Sequence, residues 1–244
     1  MLNPQWKVDV LLQGNWRGAS SVLLTGRGGP ALVDTGMAHD AHQLLAALER
    51  RGIRPDDVRI VINTHFHIDH VSNNSLFPAS GIYATQESFE WCHNLYSDLL
   101  DDARWSTLVT RYYPEVYSYD NAEFLMAKMR KIALRWWDIE RVGSSAQFRW
   151  LEQHELPDGV EALMTSGHVP GHASLIIGEG SDKTIIAADA LVTRKEDSRV
   201  LTMIPQDRDQ YQRDRETILA FRGAIIPGHG PIFLNPGKEE TVAK

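Results

Sequence analysis

The sequence predicts an α/β fold: two stacked β-sheets with helices outside, interrupted by a helical, aromatic-rich insertion. Three observations carry this expectation. Short apolar runs suited to strands recur in the first and last parts of the chain, each set followed by helical spacing. One of these runs, Val58–Ile62, is apolar at nearly every position, as in a strand buried on both faces. Between the two halves lies a stretch of different character, with 14 of the chain's 21 aromatics in residues 83–150.

In order, Val8–Leu12 and Ser21–Thr25 read as strands, and Gly26-Arg27-Gly28-Gly29-Pro30 as a turn. Ala31-Leu32-Val33 is a third strand, stopping at Asp34-Thr35-Gly36. A helix follows with Leu44, Leu45 and Leu48 on one face and Gly52 past its end. Val58–Ile62 completes a β-β-β-α-β opening. Helical spacing suits Glu87–Leu100 and Ala122–Trp137, with Pro114 between them. We read residues 85–145 as the insertion, covering either a site or an interface between two copies in a homodimer. Its aromatics either pack it onto the domain or line a pocket for an apolar group. Val160–Met164, Ser174–Ile177 and Thr184–Ala188 resume the strands. Asp207–Phe221 reads as a helix, and Ala224–Ile226 as a short strand running into Pro227-Gly228-His229-Gly230-Pro231.

Bulk properties exclude several classes. At 244 residues, 43% hydrophobic and 23% charged, the chain suits one globular domain. A net charge of -7 argues against non-specific polyanion binding, although a local basic groove would escape this measure. The single cysteine, Cys92, cannot form an internal disulfide and reads as an ordinary half-buried thiol rather than a nucleophile. Met1–Leu12 lacks the pattern of a signal peptide, and no apolar run approaches the ~20 residues of a membrane span. The expected location is therefore cytoplasmic.

The strongest chemical signal is Thr64-His65-Phe66-His67-Ile68-Asp69-His70. Neutral imidazole is a common metal ligand, and carboxylate adds the charge a dication requires. In an extended segment His65 and His67 point to one side. Asp69 and His70 follow where the chain turns, so one loop can serve two ions. A polar loop with histidines for no chemical reason is the competing reading, and this spacing weighs against it. Gly167-His168-Val169-Pro170-Gly171-His172 lies between strands, Asp189 at a strand end, and His229 between glycines where backbone can approach an ion.

These motifs, His-x-His-x-Asp-His, Gly-His-x-Pro-Gly-His, a strand-end Asp and Pro-Gly-His-Gly-Pro, resemble the metallo-β-lactamase superfamily, above all its glyoxalase II and N-acyl-homoserine-lactonase branches. The resemblance runs from Val33-Asp34-Thr35-Gly36 to His229 and leaves out residues 83–150. It implies an αββα four-layer sandwich with metals at one edge. It also implies that His65, His67 and His168 bind one ion, that Asp69, His70 and His229 bind the second, and that Asp189 bridges them. By the same pattern Asp34 and His172 stand behind the ligands. His39, His42, His93 and His154 match nothing and read as surface residues. Zinc is the default for two divalent ions, and iron or manganese suits the same donors.

The resemblance further implies a hydrolase whose two metals would supply hydroxide near neutral pH, with Asp69 passing a proton to the leaving group. A carboxylic ester or lactone with an apolar group is the leading small-molecule substrate. The resemblance to lactonases implies a tyrosine three residues after the bridging aspartate, but Val192 stands there. Tyr112 or Tyr117 of the insertion is the candidate substitute. Asp189–Phe233 also resembles a small glyoxalase-II-like subgroup with an RNA-processing member, so phosphodiester cleavage is the runner-up and thioester cleavage a third reading. A catalytically silent metal-binding regulator is the alternative outside enzymes. Redox work at two irons conflicts with His67, where flavin-coupled members have glutamate.

Overall fold

The structure, a computed structural model, describes residues 6–26, 28–105, 108–113, 122–179, 183–194 and 205–236. Eleven strands in this part form two sheets. β1 (Trp6–Leu12), β2 (Ser21–Gly26), β3 (Gly29–Val33), β4 (Ile60–Ile62), β5 (Gly81–Ala84) and β6 (Phe148–Trp150) lie side by side in chain order. The first three are antiparallel, and β3 to β6 run parallel. The second sheet has the order β11 (Phe233–Asn235), β10 (Gly223–Pro227), β9 (Thr184–Ala188), β8 (Ala173–Ile177), β7 (Val160–Met164). Only β9 and β10 are parallel within it.

The two-residue period of the strands explains the layering. Val22, Leu24, Ala31, Val33 and Ile62 face Leu175, Ile177, Ile186 and Ile226 between the sheets. Their neighbours Leu23, Leu32, Val61 and Ile82 face outward, against Leu44 and Leu48 of α1 (Ala41–Glu49). On the far side, Ile185, Ala187 and Ile225 pack on Ile218 of α7 (Arg208–Ala220). The result is an αββα sandwich, as the patterning predicts.

The parallel strands fix the position of the site. β3, β4, β9 and β10 deliver Asp34, the His65 loop, Asp189 and His229 just beyond their C-terminal ends. A rigid edge thus presents four irregular segments together.

Between β5 and β6 run α3 (Gln86–Leu100), α4 (Leu108–Tyr112), α5 (Ala122–Trp136) and α6 (Ile139–Val142), while α2 (Ile68–Val71) is the turn inside the histidine loop. The stretch from Tyr83 to Trp150 is therefore helical only in its middle. Tyr83, Phe148 and Trp150 are sheet residues paired across β5 and β6. The helices share a core of Cys92, Leu95, Tyr96, Leu99, Tyr112, Tyr113, Met126 and Ala133 with Phe66, Ile68 and Val71 of the histidine loop. Cys92 is fully buried rather than half-buried, and burial pushes its thiol well up, which suits an inert core residue. His93 is half-buried, stacked on Phe89 at 5.7 Å, and so departs from the surface reading, whereas His39, His42 and His154 are exposed.

A buried carboxylate ties α4 to α3. Asp98 accepts hydrogen bonds from the Tyr112 hydroxyl at 2.8 Å and Arg111 at 3.0 Å, and Arg104 lies 2.6 Å away. Both arginines are more than half exposed and recover water if the carboxylate is lost, so the buried Tyr112 hydroxyl carries most of the penalty. Asp98→Ala is expected to cost about 2 kcal/mol in urea unfolding. An unchanged midpoint and slope would show that the tie does nothing for stability.

Candidate metal centre

β4 ends at Ile62, the chain bends at Thr64, and it runs without helix or strand to His67, whose backbone is extended. Alternation sends Phe66 into the insertion core, edge-on to Phe89 at 5.2 Å, while His65 and His67 point the other way. His67 caps α2, which turns Asp69 and His70 toward the same space. Two groups of donors result. His65, His67, His168 and Asp189 form one, and Asp69, His70 and His229 the other, with the donor atoms in each within 4.8 Å of one another. Asp189 reaches both: Oδ2 lies 3.4 Å from His168 Nε2, and Oδ1 lies 3.4 Å from both His70 Nε2 and His229 Nε2. His172 falls in neither group. It sits behind His65, with ring centroids 4.9 Å apart and Nδ1 2.8 Å from Thr165 Oγ1.

The donors fit a divalent metal, because both Asp189 oxygens, His70 Nε2 and His229 Nε2 are buried without a hydrogen-bond partner among the described residues. A buried carboxylate in that state is costly unless a cation answers it. Spacing agrees. Ligands about 2.05 Å from a tetrahedral ion lie about 3.3 Å apart. The contacts to Asp189 and the His229 Nε2–Asp69 Oδ2 distance are 3.4 Å, and His67 Nδ1 lies 3.1 Å from His65 Nε2 and 3.0 Å from His168 Nε2.

Asp34 organises the loop from behind. Its Oδ1 accepts the Thr64 N–H at 2.9 Å, and its Oδ2 accepts the Thr64 hydroxyl at 2.8 Å and His70 Nδ1–H at 2.7 Å. Thr64 Oγ1, its proton given to Asp34, can accept from His65 Nδ1 at 3.2 Å. Asp34 holds a positive φ of 53°, which short polar side chains tolerate better than most. Ala188, just before Asp189, has φ 44°, an unusual backbone for alanine. Gly228 is packed against this corner, where a Cβ would lie 1.9 Å from Asp189 Oδ1. On the other side, α7 holds the His168 loop by its backbone. Asp214 accepts the Gly167 N–H at 2.8 Å, and a Cβ on Gly167 would strike the Tyr211 nitrogen at 2.1 Å.

Motif reading does not reveal three contributors. The Asn15 carbonyl accepts His229 Nδ1–H at 2.8 Å across 214 residues of sequence. Trp91 and Tyr96 are insertion aromatics beside the donors, with ring centroids 6.3 and 6.5 Å from that of His67. The Tyr96 hydroxyl accepts the Ile68 N–H at 3.1 Å, tying α3 to the loop. Tyr112, a candidate from sequence, instead gives its hydroxyl to Asp98, and Tyr117 lies outside the described residues. A signal for Tyr96 exists in its place on the apolar stripe Cys92, Leu95, Tyr96, Leu99, since a buried phenol needs a partner.

Residues 14–229 match the sequence family described as the metallo-beta-lactamase superfamily. The chain is similar to metallo-beta-lactamase domain-containing protein 1 of Homo sapiens, 26% identical over 217 residues, 88% of this chain and 64% of that protein. It thus spans less than two thirds of the human relative's length. It is also similar to N-acyl homoserine lactonase of Bacillus cereus, 25% identical over 236 residues, 85% of this chain and 79% of that one. Among solved structures, AidC, a dizinc quorum-quenching lactonase in complex with a product, has the same fold with a TM-score of 0.60. The identity there is 17%, over 91% of this chain and 76% of that one.

Protonation in the metal-free protein follows from burial and charge. Burial and neighbouring imidazoles hold His65 well below the ordinary 6.5. Burial likewise takes His67 down to about 4 and His172 to about 3, and holds His168 well below 6.5. For these groups the unfolded chain binds more protons as pH falls below 6.5, so stability is lost from there down through the folded values, about 4 for His67 and about 3 for His172. His229 behaves oppositely. Burial opposes its charge, but Asp189 and Asp69 outweigh burial and raise it to about 9. Its contribution is complete below 6.5 and is lost as pH rises to about 9. Metal-free protein is expected to show a Tm maximum near pH 6.5, falling on both sides in calorimetry. A Tm still rising at pH 9 would contradict this charge distribution.

Proposed function

Because this chain belongs to the metallo-beta-lactamase superfamily, we propose that it is a metallohydrolase acting with two divalent ions on a carboxylic ester or lactone that carries an apolar group. The observation that carries this reading is the pair of donor groups facing one Asp189 carboxylate. In this reading His65, His67 and His168 would hold one ion, Asp69, His70 and His229 would hold the other, and Asp189 would serve both. Zinc is the first candidate, and iron or manganese suits the same donors. When bound, such ions lower the pKa of water toward neutrality and polarise a substrate oxygen.

The chain's own residues do the rest. Asp69 is the catalytic group: its side chain is 24% exposed, against 6% or less for Asp189, His70, His168 and His229. With Oδ2 turned to His229, it can therefore take a proton at its other oxygen, Oδ1, and hand it to a leaving oxygen. Asp34 orients His70 and, through Thr64, His65.

The apolar preference rests on two tryptophans. Trp91 is half-buried beside His67, and Trp16 is 73% exposed on the turn whose Asn15 carbonyl holds His229. The insertion, seated on Phe66, Ile68 and Val71, covers the His67 side. The names of the Bacillus cereus relative and of AidC favour lactone among the bond classes. Val192 does not supply a hydroxyl, so substrate contact there differs from a tyrosine-bearing site.

Metal content per chain, measured with turnover of a lactone, a thioester and bis-nitrophenyl phosphate, tests the reading. Two ions and turnover confined to the lactone are expected. Turnover of the phosphodiester alone would overturn the substrate class, and two ions without any turnover would favour a binding role. Asp69→Asn should lower turnover about 100-fold or more while the folded chain keeps part of its metal. Full activity in that variant would remove Asp69 from the chemistry.

A further inference from the structure

The two donor groups are not supported equally. In the Asp69, His70 and His229 group, each imidazole has its outward nitrogen engaged. His70 Nδ1 donates to the Asp34 carboxylate at 2.7 Å and His229 Nδ1 to the Asn15 carbonyl at 2.8 Å. In the His65, His67 and His168 group, only His65 has such a partner among the described residues, the Thr64 hydroxyl at 3.2 Å. His67 presents Nδ1 and His168 presents Nε2 to the cluster. Their outward atoms, His67 Nε2 and His168 Nδ1, are buried without a hydrogen-bond partner among the described residues.

Charge points the same way. Counting Asp189 for both, the His65, His67 and His168 group brings one carboxylate and the Asp69, His70 and His229 group brings two. A dication is neutralised by the second group and only half-neutralised by the first. A ligand ring fixed by an outer acceptor is both oriented and made more basic, worth about 10–100-fold in metal affinity.

We propose that the centre fills in order: the Asp69, His70 and His229 position is the tight, resident site, and the His65, His67 and His168 position is a weaker, exchangeable one. This rests on the two-ion reading above. Its consequence is a half-loaded protein at limiting metal, so that supply of the second ion sets the fraction of complete centres.

The test is zinc titration of metal-stripped protein against a competing chelator, with bound metal counted by elemental analysis and folding checked by circular dichroism. Wild type should bind two ions in steps at least about 10-fold apart. His67→Ala should keep the tight step near its wild-type affinity and lose the weak one. His229→Ala should lose the tight step. Should His229→Ala fail to fold, Asp69→Asn, which keeps side-chain size, should weaken the same step. Two equal steps, or loss of the tight step in His67→Ala with its retention in His229→Ala or Asp69→Asn, would overturn the order while leaving the two-ion reading intact. Saturation of wild type at one ion per chain would overturn the two-ion reading and the order with it.

Discussion

The Asp34 carboxylate is almost wholly out of water, and the candidate centre depends on what it holds. It accepts three hydrogen bonds, from Thr64 N–H, Thr64 O–H and His70 Nδ1–H, and so fixes the start and end of the histidine loop at once. A buried carboxylate is tolerated only when so satisfied. The next residues tighten the same join. Thr35 N–H donates to the His70 carbonyl at 2.7 Å, and Asn73 donates to the carbonyls of Thr35 and Met37. The positive φ of Asp34 is the local cost of turning its side chain back under the loop. Asp189 has the opposite character: a buried carboxylate with histidines around it and no hydrogen bond among the described residues. One carboxylate orders the donors, and the other creates the demand for a cation.

Packing explains why the insertion and the centre form one unit. Most insertion aromatics are spent on the insertion's own core. Tyr112 and Tyr113 pack edge-on to Trp91 at 5.4 and 5.7 Å, and Tyr96 stacks on Trp137 at 4.2 Å. Phe66 continues that core into the histidine loop, so the residue between two candidate ligands is also a core residue of the insertion. A disturbance of α3 therefore reaches His67 through Phe66 and through the Tyr96 hydroxyl. Of the two readings of the aromatics, packing accounts for most, and Trp91 and Tyr96 stand where packing and site meet.

Much of this was legible in residue order. Strands buried on both faces read as apolar runs, and the alternation of His65, Phe66 and His67 already separates two donors from one core side chain. What escaped has identifiable causes. β5, β6 and β11 are three or four residues long, and Gly81 and Arg149 break their apolar pattern, so periodicity has too few positions to register. Tyr83, Phe148 and Trp150 therefore count with the aromatic stretch of residues 83–150, although they belong to β5 and β6. The Asn15 carbonyl is a backbone atom, which no side-chain motif can flag. Tyr112 and Tyr96 are equivalent by composition, and only the packing of α3 and α4 sends one hydroxyl to Asp98 and the other to the Ile68 N–H.

The most direct measurement is anomalous diffraction at the zinc edge from crystals of zinc-replete protein. Two peaks are expected about 3.5–4 Å apart, one against His65, His67 and His168 and one against Asp69, His70 and His229, with Asp189 between them. A single peak, or zinc held away from Asp189, would contradict the shared centre on which the hydrolase reading stands.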